Sequence, residues 1–431
     1  MTRCLGSLVS VCICGLARQS CLQFVHWLTQ SRDTRSFQSL LRPHHQMWWR
    51  VPIQTPFPII NTRQQKLHES LMKKSKSLAI LAVSTVATTA YAQSNVTLYG
   101  VADAGIEFTT KAGRNGNSQV RLTSGNLSGS RWGIRGTEDL GDGLKAVFVL
   151  ESGFDLDTGN SGQSGRLFGR NAYIGTESRY GALLLGRQQT SLREFANIYD
   201  PAALADRYGI LSIAPEFGAR ADNAVKYIGQ FGGLTASAFY SFQANGNEVP
   251  GANVFGRDFG AYVSYASGPL SVGIAYDDAH GGTPANQAPV IRRYSVAGTY
   301  TTGPVKVFAG YRLAKALDGA KLPGAQSTNN GSNLYWLALG YKLTPAFSVN
   351  GAAYYQDFRQ TGSDPWLFAI IADYTLSKRT DLYASVSYAL NKDNSQLGVN
   401  GFNTVSTTSA VYNVEPGANQ FGAVVGIRHR F

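Results

Sequence analysis

From residue 93 onward the chain alternates apolar and polar positions in short runs. The period is two, the mark of strands with unlike faces. In 269–277 one face is Leu270, Val272, Ile274 and Tyr276, and the other is Ser271, Gly273, Ala275 and Asp277. In 304–313 the face Val305, Val307, Ala309, Tyr311, Leu313 lies opposite Lys306 and Arg312. In 381–390 the apolar positions are Leu382, Ala384, Val386, Tyr388 and Leu390, opposite Tyr383, Ser385 and Ser387. The second face decides between sandwich and barrel. In a sandwich it meets open water and carries long charged side chains; here it is mostly Gly, Ala and Ser with occasional charges. The apolar faces end in Tyr or Phe, as a girdle at a membrane interface requires.

Sixteen such runs are predicted, at about 95–107, 128–138, 143–155, 168–177, 181–190, 223–231, 234–243, 256–267, 269–278, 291–301, 304–314, 332–343, 346–357, 365–375, 379–390 and 420–431. Short turns (EDLGDG, ESRYG, FGG, SGP, TGP, LTP, LSK) alternate with long connections rich in Gly, Asn, Asp and Ser, such as 108–127, 278–290, 315–331 and 391–419. That alternation predicts an all-β, 16-stranded antiparallel transmembrane β-barrel with turns in the periplasm and loops outside. Lipid offers the backbone no hydrogen-bond partners, so the sheet must close. Sixteen strands leave an aqueous channel. The terminal run NQFGAVVGIRHRF supports this, with Phe421, Ala423, Val425, Ile427 and His429 on one parity and an aromatic as the last residue. Nothing in 391–419 separates an antigenic, a phage-binding or a merely variable role.

Composition changes the picture only once processing is considered. MKKSKSLAILAVSTVATTAYAQS, starting at Met72, has a basic start (Lys73, Lys74, Lys76), a short apolar run from Leu78 to Ala87 and an Ala90-Tyr91-Ala92 cleavage site. This reads as a secretory signal peptide over 72–92. Residues 1–71 are then expected to be an over-long upstream extension, and 93–431 the exported barrel. All four cysteines (Cys4, Cys12, Cys14, Cys21) lie in 1–71, so no disulfide framework is expected in the barrel. The formal charge of +12 also dissolves: residues 1–92 hold 11 of 39 basic and 2 of 27 acidic groups, leaving 28 and 25, a net of about +3. A nucleic-acid partner loses its support.

The segments VTLYGVADAGIE, SGSRWGIRGTEDLGDGLKAVFVLESGFD, RNAYIG, GALLLGRQ, DNAVKY and VGIRHRF occur in order along 93–431. With them the chain resembles a general Gram-negative outer-membrane porin of betaproteobacterial type. The resemblance implies a channel for passive diffusion of small hydrophilic solutes and ions. It also implies a homotrimer in outer-membrane lipid and lipopolysaccharide, and a third extracellular loop folded inward to narrow the pore.

That loop, between Gln189 and Asn223, carries Glu194, Asp200, Asp206, Glu216 and Asp222 beside Arg193, Arg207 and Arg220. Loops of this length are uncommon unless functional. PEFG at 215–218 matches a motif at the constriction-loop tip of enterobacterial porins. By that resemblance Glu216 is a constriction carboxylate, with Pro215 and Gly218 shaping the turn and Phe217 anchoring it to the wall. In SRWGIRG, Trp132 and Ile134 take the lipid parity, so Arg131 and Arg135 point inward; a lipid-facing Arg would cost roughly 2–4 kcal/mol. Arg170, Arg187 and Arg220 complete the basic wall that the resemblance implies, opposite a loop contributing mainly Glu216 and Asp206. Mild anion preference is the expectation, as is a shift of selectivity without loss of stability when Glu216 is neutralised. The competing readings are a barrel acting as an adhesin or an enzyme with a plugged lumen. The exported region has two histidines, His280 and His429, neither near an obvious Ser and Asp partner, and no Cys/His cluster, Walker loop or dinucleotide fingerprint. No enzyme activity, cofactor or metal is expected.

Overall fold

A computed structural model describes residues 95–113, 116–283, 289–402 and 414–431. The expectations for 1–71 and for the signal peptide at 72–92 lie outside the described residues, as does part of the connection 391–419. The strands in chain order are β1 (Asn95–Ala112), β2 (Asn117–Ser124), β3 (Arg131–Gly141), β4 (Leu144–Gly153), β5 (Asn171–Ser178), β6 (Gly181–Gln189), β7 (Arg220–Phe231), β8 (Leu234–Ser241) and β9 (Asp258–Ser267). There follow β10 (Leu270–His280), β11 (Val290–Thr302), β12 (Val305–Leu317), β13 (Gly331–Lys342), β14 (Phe347–Phe358), β15 (Trp366–Thr375), β16 (Thr380–Leu390), the short pair β17 (Leu397–Gly398) and β18 (Gly401–Phe402), and β19 (Gln420–Arg430).

All but β17 and β18 form one antiparallel sheet, in which each strand from β3 to β16 pairs with the next in sequence. β1 closes it, pairing with β19 from Val101↔Arg430 to Thr109↔Gly422 and with β3 from Asn95↔Thr137 to Val101↔Arg131. β2 and β3 are two halves of one stave, since β1 pairs with β3 along its first part and with β2 along its second. The seventeen segments are therefore a closed sixteen-stave barrel. The break between the halves is organised by Asp103, whose Oδ2 accepts from Leu127 N at 2.9 Å and Ser128 N at 2.8 Å. The expected loop 108–127 is thus corrected: residues up to Ala112 and from Asn117 extend a hairpin above the wall.

Alternation sets the two faces as the pattern predicts. On β13, Tyr335, Leu337 and Leu339 are exposed while Leu334, Trp336 and Ala338 are buried. Tight turns join the strands at one end, where Gly232, Gly268 and Gly303 take φ of 60°, 55° and 53°, the left-handed region that glycine enters without a Cβ clash. The chain's last residue lies on the seam: Phe431 N donates to Gly100 O at 3.1 Å and Gly100 N to Phe431 O at 3.0 Å. A Cβ on Gly100 would sit 2.2 Å from the Phe431 ring, so glycine there makes room for the terminal aromatic.

Candidate functional site

The third long connection, between β6 and β7, folds for a local reason. Thr190 caps a helix, α1 (Ser191–Tyr199), its side chain accepting from Arg193 N at 3.2 Å. Leu192, Phe195, Ala196 and Tyr199 recur at helical spacing and are buried. They share one buried apolar cluster with Tyr262, Trp336 and Tyr354 of the strands. Trp336 Nε1 donates to Tyr199 O at 3.1 Å, and Ser237 Oγ donates to Glu194 Oε2 at 2.9 Å. Lys226 pairs with the same Glu194. A helical turn at Ile210–Ile213 and a 3₁₀ turn at Pro215–Gly218, with Pro at its start, return the chain to β7.

Asp200, at the end of α1, accepts from Tyr354 OH at 2.9 Å and from Leu204 N at 2.9 Å. Burial pushes its carboxyl up to about 6. A raised carboxyl in the folded state holds a proton that the unfolded chain releases, so its effect on stability is most favourable at low pH. That stability falls as pH rises from ~4 through about 6. Relative to Asp200→Asn, the unsubstituted protein should therefore gain in denaturant midpoint between pH 7.5 and 5; a constant difference would sink this assignment.

The sequence-predicted arginines divide into groups. Arg170 Nε donates to Glu151 Oε1 at 2.8 Å, and Arg131 Nε lies 3.7 Å from Glu151 Oε2. Arg193, which the sequence reading left among the loop charges, has Arg170 and Arg131 as cationic neighbours and Asp206 and Glu151 as anionic ones. Burial first, then Arg170, push Arg193 down to about 10, which leaves it charged at neutral pH. Its Nη1 donates to Gly218 O at 2.6 Å. Arg220 faces Arg193, Arg170, Asp206 and Glu151 as well; it is the first residue of β7 rather than a residue before the strand. A Cβ on Gly129 would come within 2.5 Å of Asp206 Oδ2 and 2.8 Å of Arg170 Nη1, so Asp206 meets the cluster over a glycine. A cavity of about 320 Å³ opens here, lined by Arg170, Asp206, Arg207, Gln163, Asp155 and Asn400 among others.

Arg187 and Arg135 stand apart. Arg187 Nη1 lies 2.6 Å from Asp222 Oδ1, a carboxylate it shares with Arg166 at 2.7 Å. Arg135 shares the inner face with Arg131, as parity predicts, and lies over the Tyr99 ring at 5.2 Å.

The expected partnership of Glu216 needs correction. Its Oε1 lies 2.8 Å from Arg312 Nη2 on β12, with side chains 6% and 2% exposed. It does not face Arg131, Arg135, Arg170 or Arg187. Arg312 Nη1 also donates to Ser332 Oγ at 2.6 Å, and Arg293 pairs with Asp277 beside it. Phe217 is fully buried, edge-on to Trp336 at 6.0 Å between centroids. Pro215 to Gly218 thus hold the connection to the wall at Arg312 and Trp336 while Gly218 O accepts from Arg193, and Asp206 is the loop carboxylate at the arginine cluster. His280 Nε2 lies 2.7 Å from Asp278 Oδ1 at the end of β10.

A family model described as Gram-negative porin matches residues 77–394. An outer membrane porin protein of Bordetella pertussis is 35% identical over 370 residues, spanning 74% of this chain and 95% of that protein. Outer membrane porin protein 32 of Delftia acidovorans is 32% identical over 371 residues, spanning 83% and 99%. Among solved structures, an anion-selective porin from Comamonas acidovorans superposes with a TM-score of 0.68 at 28% identity, over 79% of this chain and all of that one.

Proposed function

The chain belongs to the Gram-negative porin family, and from that premise we propose a water-filled pore with mild anion preference, narrowed by the third long connection folded into the barrel. The protein is an outer-membrane channel for small hydrophilic solutes and ions. The observation that carries the selectivity is the group Arg131, Arg170, Arg193 and Arg220 set, among the described residues, against Glu151 and Asp206, beside the cavity. Guanidinium groups are the side chains that best keep their charge at neutral pH, so the group presents a positive field to the pore. The likeness to an anion-selective porin points the same way. The inward fold of the connection is supported by its contacts with Trp336, Tyr354 and Ser237, all on the face opposite the exposed residues. That the barrel has no enzymatic activity belongs to the same reading, since its relatives are porins. The test is a planar-bilayer recording across a potassium chloride gradient. Large ohmic steps with an anion-side reversal potential are expected; cation-side values would refute the selectivity.

The assembly we propose is a homotrimer, surrounded by outer-membrane lipid and lipopolysaccharide. A belt of rings runs over the outer face of β8 to β15, through Tyr240, Phe259, Tyr276, Tyr294, Tyr311, Tyr335, Tyr355 and Trp366, with neighbouring rings mostly 4.5–6.3 Å apart. Such belts sit at a lipid interface. Over β1, β2, β5 and β6 the same face presents Ile106, Val120, Leu122, Ile174, Leu183 and Leu185, an aliphatic surface suited to a second copy. Unheated in mild detergent, the protein should migrate at about three times the monomer mass, and Ile174→Arg should reduce it to monomer. A monomer band from the unsubstituted protein would count against the trimer.

A further inference from the structure

We infer that the last long connection supplies part of this channel's filter, with Asn400 as a residue of its rim and Glu107 as the group that ties it to the third connection. The inference rests on the channel reading and adds a component to it. The connection's described part up to Phe402 is held by specific contacts. Asn391 Nδ2 donates to Leu397 O at 2.8 Å and its Oδ1 accepts from Leu397 N at 2.8 Å. Leu397 and Val399 are fully buried in the same apolar cluster as Phe195, Tyr208 and Ile213 of the third connection. Ser212 Oγ donates to Val399 O at 2.8 Å, while Val399 N donates to Gln420 Oε1 at 2.9 Å. Phe402 lies edge-on to Phe358 at 6.1 Å. Both sides of the β17–β18 hairpin are thereby fixed, and Asn400 sits in its two-residue turn.

Glu107 joins these parts. It is 0% exposed on the inner face of β1 and receives groups from three other segments. Arg121 Nε of β2 donates to Oε2 at 2.6 Å, Tyr208 OH of the third connection donates to Oε1 at 2.8 Å, and Asn400 Nδ2 donates to the same oxygen at 2.8 Å. Arg207 Nη1 is 3.8 Å from Oε2. A buried carboxylate with two cations and two neutral donors fixes the position of every donor it holds. Through it Asn400 is set on the rim of the cavity that Arg170, Asp206 and Arg207 also line. With its Nδ2 held by Glu107 and its Oδ1 buried, Asn400 narrows the rim beside the guanidinium groups by occupying cross-section that water would otherwise fill.

No cysteine occurs after Cys21, so a thiol placed at 400 is unique in the barrel. The experiment is Asn400→Cys treated with a membrane-impermeant sulfonate methanethiosulfonate, with Asn253→Cys, in the connection between β8 and β9, as the control. Labelling at 400 should lower single-channel conductance about twofold, because a bulky anion then sits in the filter; labelling at 253 should leave it unchanged. Absence of labelling at 400, or full labelling without a change in conductance, overturns the inference. Glu107→Gln keeps the shape and removes the charge. It should increase open-channel current noise while the heat-modifiable gel shift is retained, and noise equal to that of the unsubstituted channel overturns the role of Glu107. Barrels that insert yet pass no current in any form would refute the channel reading itself.

Discussion

Glu216→Gln is expected to weaken the folded protein by about 3–5 kcal/mol, as removal of one member of a buried ion pair does. The cause is the charge left behind. Arg312 is 2% exposed, and beside it lies the second guanidinium, Arg293, whose charge Asp277 takes up. Ser332 gives Arg312 one neutral acceptor, which does not replace a carboxylate. The readout is the urea midpoint of the detergent-solubilised barrel, with open-channel noise as a local one, since the 3₁₀ turn that carries Glu216 also carries Phe217 into its place against Trp336. The double substitution Glu216→Leu with Arg312→Met should recover most of the loss, because it leaves no uncompensated charge. The reversal potential should move little in either variant. A large shift in reversal potential with an unchanged midpoint would restore Glu216 to the pore-facing role its sequence context implies.

The contrast between Glu216 and Asp206 shows where sequence reasoning stops. Strand parity is local: a period of two puts Arg131 and Arg135 on one face of β3, and the register with Tyr99 and Thr97 on β1 agrees. The same rule placed Arg312 on the inner face and Leu313 on the outer one. Most of the short turns were legible because they carry residues with positive φ, such as Asp142, Gly232, Gly268 and Gly303, and the staves between them followed within a few residues. What parity does not encode is which wall a loop of thirty-odd residues reaches. Glu216 and Arg312 meet through tertiary packing of Leu192, Phe195, Tyr199 and Phe217, whose spacing announces a helix and a turn but not their destination. Arg193 was visible as a loop charge; that its side chain joins Arg170 depends on the direction of α1. Asn400 was obscured differently: a connection rich in Asn and Ser gives no apolar period, and its docking rests on a few scattered residues, Leu397, Val399 and Phe402, and on the bond from Asn400 to Glu107.

Arg220→Glu is expected to abolish or invert the anion preference, and it is the cleanest of the charge reversals. The Arg220 Nε is buried with no hydrogen-bond partner among the described residues, so the substitution breaks no identified pair, unlike one at Arg170, which would set a new carboxylate against Glu151. In the group Arg131, Arg170, Arg193, Arg220, Glu151 and Asp206 the reversal removes the whole positive excess. A permeating ion about 6 Å from one charge in water gains or loses about 0.7 kcal/mol, so a change of two charge units is worth about tenfold for each ion and, because anion and cation shift in opposite senses, up to about a hundredfold in the permeability ratio. Screening gives a second signature. The Debye length is about 10 Å at 0.1 M salt and about 3 Å at 1 M, so the shift should be large in dilute electrolyte and mostly gone in concentrated electrolyte. Arg187→Gln is the internal comparison: that guanidinium shares Asp222 with Arg166 outside the cluster, and its loss should move the reversal potential much less. If Arg187→Gln instead produced the larger shift, the filter would lie at Asp222, and the cluster around Arg170 would be a structural feature of the wall.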